Sequence, residues 1–262
     1  MSNHLPLSGR HAIVTGGSRG IGLAIAHKLA GMGARITLMG RDASSLQQAV
    51  EQLAAGSRAG YVTGDIADPV QVEQAMAQAR QRAGTIHILV NNAGQASSQR
   101  FDRVDQAHWN QMIAVNLGGT FHCMQAALPD MLQAGWGRIV NVASTAALIG
   151  YPYVSAYCAA KHGVVGLTRA VALEVAAKGV TVNAVCPGYT ETDIVHDAVA
   201  NITQKTGMTP EQAKARLAER NPQGRLVQPE EVAGAVGWLC DPASASINGQ
   251  AIPVDGGEVM AG

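Results

Sequence analysis

Short, largely apolar runs alternate along this chain with longer stretches in which apolar positions recur every three or four residues. The first pattern marks strands buried on both faces, the second helices with one buried stripe. Runs at 12–15, 35–39, 60–63, 86–91, 138–143, 181–185 and 251–254 are predicted strands. Helical patterns fall near 20–32, 43–55, 69–82, 107–133, 154–177 and 229–240. Their alternation predicts an α/β fold, a parallel seven-stranded sheet flanked by helices on both faces. The alternation lapses between Thr190 and Arg225, after the Pro187-Gly188 turn. That stretch is polar, helix-prone and too long for an ordinary connection, so a substrate lid is expected near 190–225. Within it, Thr209-Pro210-Glu211-Gln212 reads as a capped helix start. No internal repeat, low-complexity tract or linker divides residues 1–262, which read as one domain.

Composition narrows the partners more than the fold. Hydrophobic residues make up 47% of the 262, enough for a large core, while aromatics are only 4%. Nineteen Lys and Arg balance nineteen Asp and Glu, so no charged field invites nucleic acid or an anionic membrane. Cys123, Cys158, Cys186 and Cys240 show no metal-ligand or C-x-x-C spacing, and no His/Cys/Asp cluster suggests a metal. The N-terminus lacks a signal-peptide pattern, and no apolar run reaches membrane-spanning length. A reduced cytoplasmic protein acting on a small molecule is the expectation.

The chemistry lies in two places. Tyr157 and Lys161 are four residues apart on a predicted helix, one turn apart on one face, and Ser144 lies upstream. A fixed cation favours a phenolate, so such a tyrosine is expected to exchange a proton with a substrate oxygen near neutral pH while the serine hydroxyl holds that oxygen. The second place is Gly16-Gly17-Ser18-Arg19-Gly20-Ile21-Gly22, between the first strand and the first helix. Strand, glycine-rich turn and helix N-terminus form a phosphate cradle, although a tight turn between packed elements gives the same glycines.

Read together, Thr15, Gly16, Gly20 and Gly22, Asn91-Asn92-Ala93-Gly94, Asn116, Ser144, Tyr157, Lys161 and Pro187-Gly188 resemble the short-chain dehydrogenase/reductase family in order and spacing. The likeness runs from about residue 7 to 254. Within the family, 161–168 and 182–188 most resemble the β-ketoacyl reductases and aromatic polyketide ketoreductases. The resemblance implies a single Rossmann domain and a tetrad of Asn116, Ser144, Tyr157 and Lys161. In it Tyr157 is the acid, Ser144 holds the carbonyl oxygen, Lys161 lowers the phenol pKa and holds ribose hydroxyls, and Asn116 fixes a water. Gly16, Ser18, Arg19, Gly20, Ile21, Gly22, Arg41, Asp65, Ile66, Asn92, Ala93, Gly94, Tyr157, Lys161, Pro187, Gly188, Thr190 and Thr192 fall at cofactor-binding positions. Ser144, Ala146, Tyr157 and Tyr189 fall at substrate positions. The resemblance also implies a homotetramer through the helices near 107–133 and 154–177 and the C-terminal stretch. It assigns no acid–base role to His122 or His162.

NADP(H) is favoured over NAD(H). Relatives that use NAD place an acid where Gly40 stands, followed here by Arg41, and a 2′-phosphate calls for arginine. Asp42, the competing acid, reads as the N-cap of the next helix. For the substrate, the positions at which 3-hydroxybutyrate dehydrogenases hold a carboxylate are Ala96, Ala146 and Val154. The carrier-docking positions of acyl-carrier reductases read Gln133, Ala134, Gly135 and Leu173. An NADPH-dependent ketoreductase acting on a β-ketoacyl thioester or a similar hydrophobic ketone is therefore expected. The alternatives are a dehydrogenase of a small, cyclic, aryl or sugar alcohol, and a regulator that binds NADP without turnover.

Overall fold

The computed structural model describes residues 5–53 and 58–260, and of Ile194 the backbone alone. Strands β1 (His11–Thr15), β2 (Arg35–Gly40), β3 (Ala59–Thr63), β4 (Ile88–Asn91), β5 (Gly137–Val142), β6 (Val180–Pro187) and β7 (Ala251–Val254) make one parallel sheet in the order β3-β2-β1-β4-β5-β6-β7. Side chains alternate between two cores. Val14, Ile88, Val90, Val140 and Val142 point into one, while Ile13, Leu89 and Ile139 point into the other. Helices α1 (Gly20–Gly31) and α9 (Pro229–Cys240) cover the first face through Ile25, Leu29, Val232 and Val236. Helices α3 (Pro69–Ala83), α5 (Gly119–Ala134) and α6 (Ser155–Val175) cover the second through Met76, Met124, Met131 and Val175.

Local chemistry sets the helix ends. Asp42 caps α2 (Ala43–Gln52) by accepting the Ser45 N–H at 2.7 Å, as its position predicts. Residues 54–55 of the helix predicted over 43–55 lie outside the described residues. Thr209 and Gln212 form the expected capping box at the start of α8 (Pro210–Ala218). A second lid helix, α7 (Asp193–Thr206), precedes it and ends at Gly207 in the left-handed region.

Three departures from the sequence reading matter most. β4 begins at Ile88, because the Ile86 N–H is taken by the Asp130 carboxylate at 2.8 Å. β6 runs on through Pro187, paired with Val254 across the ladder. The helix predicted over 107–133 is broken: α4 (Gln106–Ile113) and α5 are joined by a π turn over Ala114–Gly118. The neighbours β2 and β4 of strand β1 lead to opposite halves of the sheet, and a crevice opens at such a reversal beyond the carboxyl ends of the strands.

Candidate active site

Hydrogen bonds lash the two strand ends at that crevice together. Thr15 Oγ1 accepts the N–H groups of Asn92 and Ala93, both at 3.0 Å. Asn92 Nδ2 donates back to the Thr15 and Gly16 carbonyls at 3.1 and 3.0 Å. Gly16 has φ +62°, and a Cβ there would lie 2.9 Å from Ala93 Cα. Arg19, the N-cap of α1, places no side-chain bond on the first-turn N–H groups. A backbone stripped of Cβ atoms beneath an uncapped helix N-terminus fits a pyrophosphate. The expected nucleotide positions lie around it. Asp65 accepts the Ala67 N–H at 2.9 Å and Ile66 is buried. Arg41 is exposed, while the Asp42 carboxylate is occupied in capping α2.

Ser144 lies two residues beyond β5 in extended backbone, and its Oγ accepts the Ala146 N–H at 3.1 Å, leaving the hydroxyl proton to be donated elsewhere. Tyr157 and Lys161 follow one turn apart on α6, with Lys161 Nζ 5.8 Å from the Tyr157 ring centroid. Lys161 is buried and donates to the Val142 carbonyl at 2.9 Å. Burial draws Lys161 down to about 8 and pushes Tyr157 up to about 12, with the Ser144 hydroxyl pulling the phenol back. Both groups share a poorly hydrated pocket, where losing water disfavours the charged form of each.

Asn116 sits fully buried in the π turn. Its Oδ1 accepts the Gln95 N–H at 3.1 Å, and Nδ2 donates to the Gln95 and Met112 carbonyls, each at 3.0 Å. Its side chain is thus engaged with the protein backbone. Gly94 makes room: a Cβ there would lie 2.8 Å from Asn116 Oδ1 and 3.6 Å from Lys161 Nζ. The structure thus gathers all four tetrad positions around the ends of β4 and β5.

A parallel bridge between Thr190 and Val227 closes the base of the lid. Thr192 begins α7 against the glycine-rich turn, 3.2 Å from where a Gly20 Cβ would stand. Arg19 reaches across to Asp193 at 3.1 Å, an exposed pair. Ala146 is buried and Tyr189 packs edge-on against Tyr151, 6.4 Å between centroids. Three residues here escaped the sequence reading: Tyr151, Arg220 and Glu258. The Tyr151 hydroxyl donates to Glu258 Oε1 at 2.6 Å and is hydrogen-bonded to Thr145 Oγ1 at 2.7 Å. Arg220 Nε lies 3.1 Å from the same carboxylate. No local spacing signals a contact among segments so far apart in the chain.

The sequence profile of the short chain dehydrogenases matches residues 10–203. The chain belongs to the short-chain dehydrogenase/reductase family. It is 42% identical over 255 residues to a D-beta-hydroxybutyrate dehydrogenase of Cupriavidus necator, covering 97% of this chain and 99% of that one. A granaticin polyketide synthase putative ketoacyl reductase of Streptomyces violaceoruber is 42% identical over 252 residues, covering 94% and 92%. The solved structure of an actinorhodin polyketide ketoreductase variant with NADPH superposes with TM-score 0.91 at 38% identity, covering 95% and 97%. Membership makes this short-chain dehydrogenase/reductase a single-domain Rossmann-like enzyme, an NAD(P)-dependent oxidoreductase acting on alcohol and ketone groups.

Proposed function

We propose that the enzyme is an NADPH-dependent ketoreductase acting on a β-ketoacyl thioester or a similar hydrophobic ketone. The observation that carries this reading is the gathering of two hydroxyl donors beside a buried lysine. Tyr157 and Lys161 stand one turn apart on α6, and the Ser144 hydroxyl interacts with the phenol. Two such donors suit a carbonyl oxygen gaining negative charge. The reduced nicotinamide, when bound, supplies the hydride. Ser144 then holds the carbonyl oxygen by a hydrogen bond while Tyr157 Oη transfers its proton to it. Lys161, drawn down to about 8, stabilises the phenolate left behind and exchanges protons near neutral pH. Asn116 braces the 94–95 backbone against which Lys161 rests.

NADPH is the proposed cofactor because Asp42 is occupied as a helix cap while Arg41 and Arg19 are exposed near the adenosine end. Gly16, Ser18, Gly20, Ile21, Gly22, Asp65, Ile66, Asn92, Ala93, Gly94, Pro187, Gly188, Thr190 and Thr192 are proposed to line the rest of that site. The wall at Ala146 and Tyr189 supports an apolar substrate. Trp109, Phe121 and Leu173, partly or largely exposed on α4, α5 and α6, support a tetramer, which light scattering at micromolar concentration reads. Four unpaired cysteines support a reducing compartment such as the cytoplasm.

The test follows NADPH and NADH absorbance with acetoacetyl-CoA, a cyclic ketone and a sugar alcohol, using wild type and Tyr157→Phe. Turnover of the thioester or the cyclic ketone, faster with NADPH and reduced by at least ~10² in Tyr157→Phe, is expected. Turnover of the alcohol alone, equal rates in Tyr157→Phe, or no turnover at all would overturn the reading.

A further inference from the structure

Glu258 belongs to the C-terminal tail, Arg220 follows α8, and Tyr151 lies in the loop after β5, yet their side chains converge beside the catalytic serine. Tyr151 hydrogen-bonds Thr145, the neighbour of Ser144, and donates to Glu258. Arg220 ion-pairs with Glu258 and lies over the Tyr151 ring, its guanidinium carbon 4.3 Å from the centroid. Glu258 Oε2 also comes within 3.3 Å of where a Gly188 Cβ would stand, at the turn expected to back the nicotinamide. The Glu258 side chain is 5% exposed and that of Arg220 is 42% exposed.

A half-exposed guanidinium at the substrate side of a ketone-reducing site is a natural receptor for a carboxylate, through its forked N–H groups. Here a carboxylate of the protein's own already occupies it. We propose that Glu258 sets the charge selectivity of the pocket: by cancelling Arg220 it makes the site accept an uncharged ketone, ester or thioester and reject a free keto acid. The proposal rests on the ketone-reducing reading above and sharpens its substrate class. It also separates this chain from its Cupriavidus necator relative, a dehydrogenase whose substrate bears a carboxylate, despite their 42% identity. The other positions suited to holding such a group here are Ala96, Ala146 and Val154, none of which can pair with an anion.

The test compares acetoacetate with ethyl acetoacetate, two β-ketones of similar size differing in charge. The kcat/KM ratio of acid to ester is measured in wild type, Glu258→Gln, Arg220→Gln and the double variant. Glutamine keeps an acceptor for Tyr151 and nearly the same volume. In Glu258→Gln, the acid-to-ester ratio should rise about tenfold as Arg220 is unmasked. It should fall below wild type in Arg220→Gln and return to the wild-type value in the double variant. Calorimetry of acetoacetate against each protein saturated with NADP⁺, which cannot reduce a ketone, reads anion binding without turnover, and Glu258→Gln should bind about tenfold more tightly. An unchanged ratio and affinity in Glu258→Gln overturns the proposal, as does a wild type that prefers the acid. Should Glu258→Gln fail to fold, a ratio and affinity in Arg220→Gln no lower than wild type does the same. A wild type inert to every ketone would sink the ketone-reducing reading alone, because the calorimetric comparison still decides whether Glu258 masks Arg220.

Discussion

A single carbon added at Gly22 would lie 2.2 Å from the Gly16 carbonyl oxygen and 2.5 Å from Asn92 Nδ2, whereas one added at Gly207 would meet nothing within 4 Å. The two glycines typify the regions that hold them. Around β1 and β4 the candidate cofactor site is built from backbone packed so closely that side chains are excluded. In the lid and the C-terminal tail, position is held by side chains: Arg19 with Asp193, Arg220 with Glu258, and Glu191 with Lys214 and His196. Backbone packing tolerates almost no change. A pair exposed on both sides, such as Arg19 with Asp193, contributes little and is readily replaced.

The sharpest way to break this contrast is Gly22→Ala. A methyl pressed against a carbonyl oxygen should cost about 3 kcal/mol and displace the turn that cradles the phosphates. Chemical denaturation and NADPH titration read both losses, and a variant as stable as wild type would refute the packing argument. Next in size is the seam between the regions, at Lys161. Its folded pKa near 8 lies below the usual 10.5, so over that interval the folded chain binds fewer protons than the unfolded one. Stability conferred through this group must therefore rise with pH, by about 2 kcal/mol from pH 7.5 to 9.5. Denaturation of wild type against Lys161→Met isolates the term, because the methionine variant lacks that rise; parallel curves would show that the ammonium is not desolvated. The window ends below the range above pH 10, where the raised Tyr157 pKa makes stability fall again. The smallest effect belongs to the lid. Gly207→Ala carries only the cost of a left-handed backbone, ~1 kcal/mol, and should leave NADPH affinity untouched.

The same contrast governs what the sequence reveals. Strands such as β1 and β5 are legible because burial on both faces calls for short, largely apolar runs, and Asp42 and Thr209 are legible because a cap acts within three residues. The glycine turn is legible because the close approach of backbone leaves no other residue possible. The π turn at Asn116 is not, since one extra residue in a helix barely disturbs the spacing of its apolar positions. Nor are the partners of Arg19 and Glu258, whose contacts span 174 and 38 residues of chain. The burial of Tyr157 and Lys161 is not legible either. Spacing places a cation near a phenol, but the degree of dehydration around both is a property of the packed pocket.

The bridge between Thr190 and Val227 has one more implication, for engineering. It brings the two ends of the lid side by side, with the Glu191 N–H bonded to the Val227 carbonyl at 2.9 Å. Everything between them is an insert whose anchoring points do not depend on its contents. Doubling the length of such a closed excursion adds only about 0.6 kcal/mol of closure entropy. The segment from 191 to 226 is accordingly an exchangeable cassette, where a graft from another short-chain dehydrogenase/reductase redraws the pocket while the sheet beneath keeps its register.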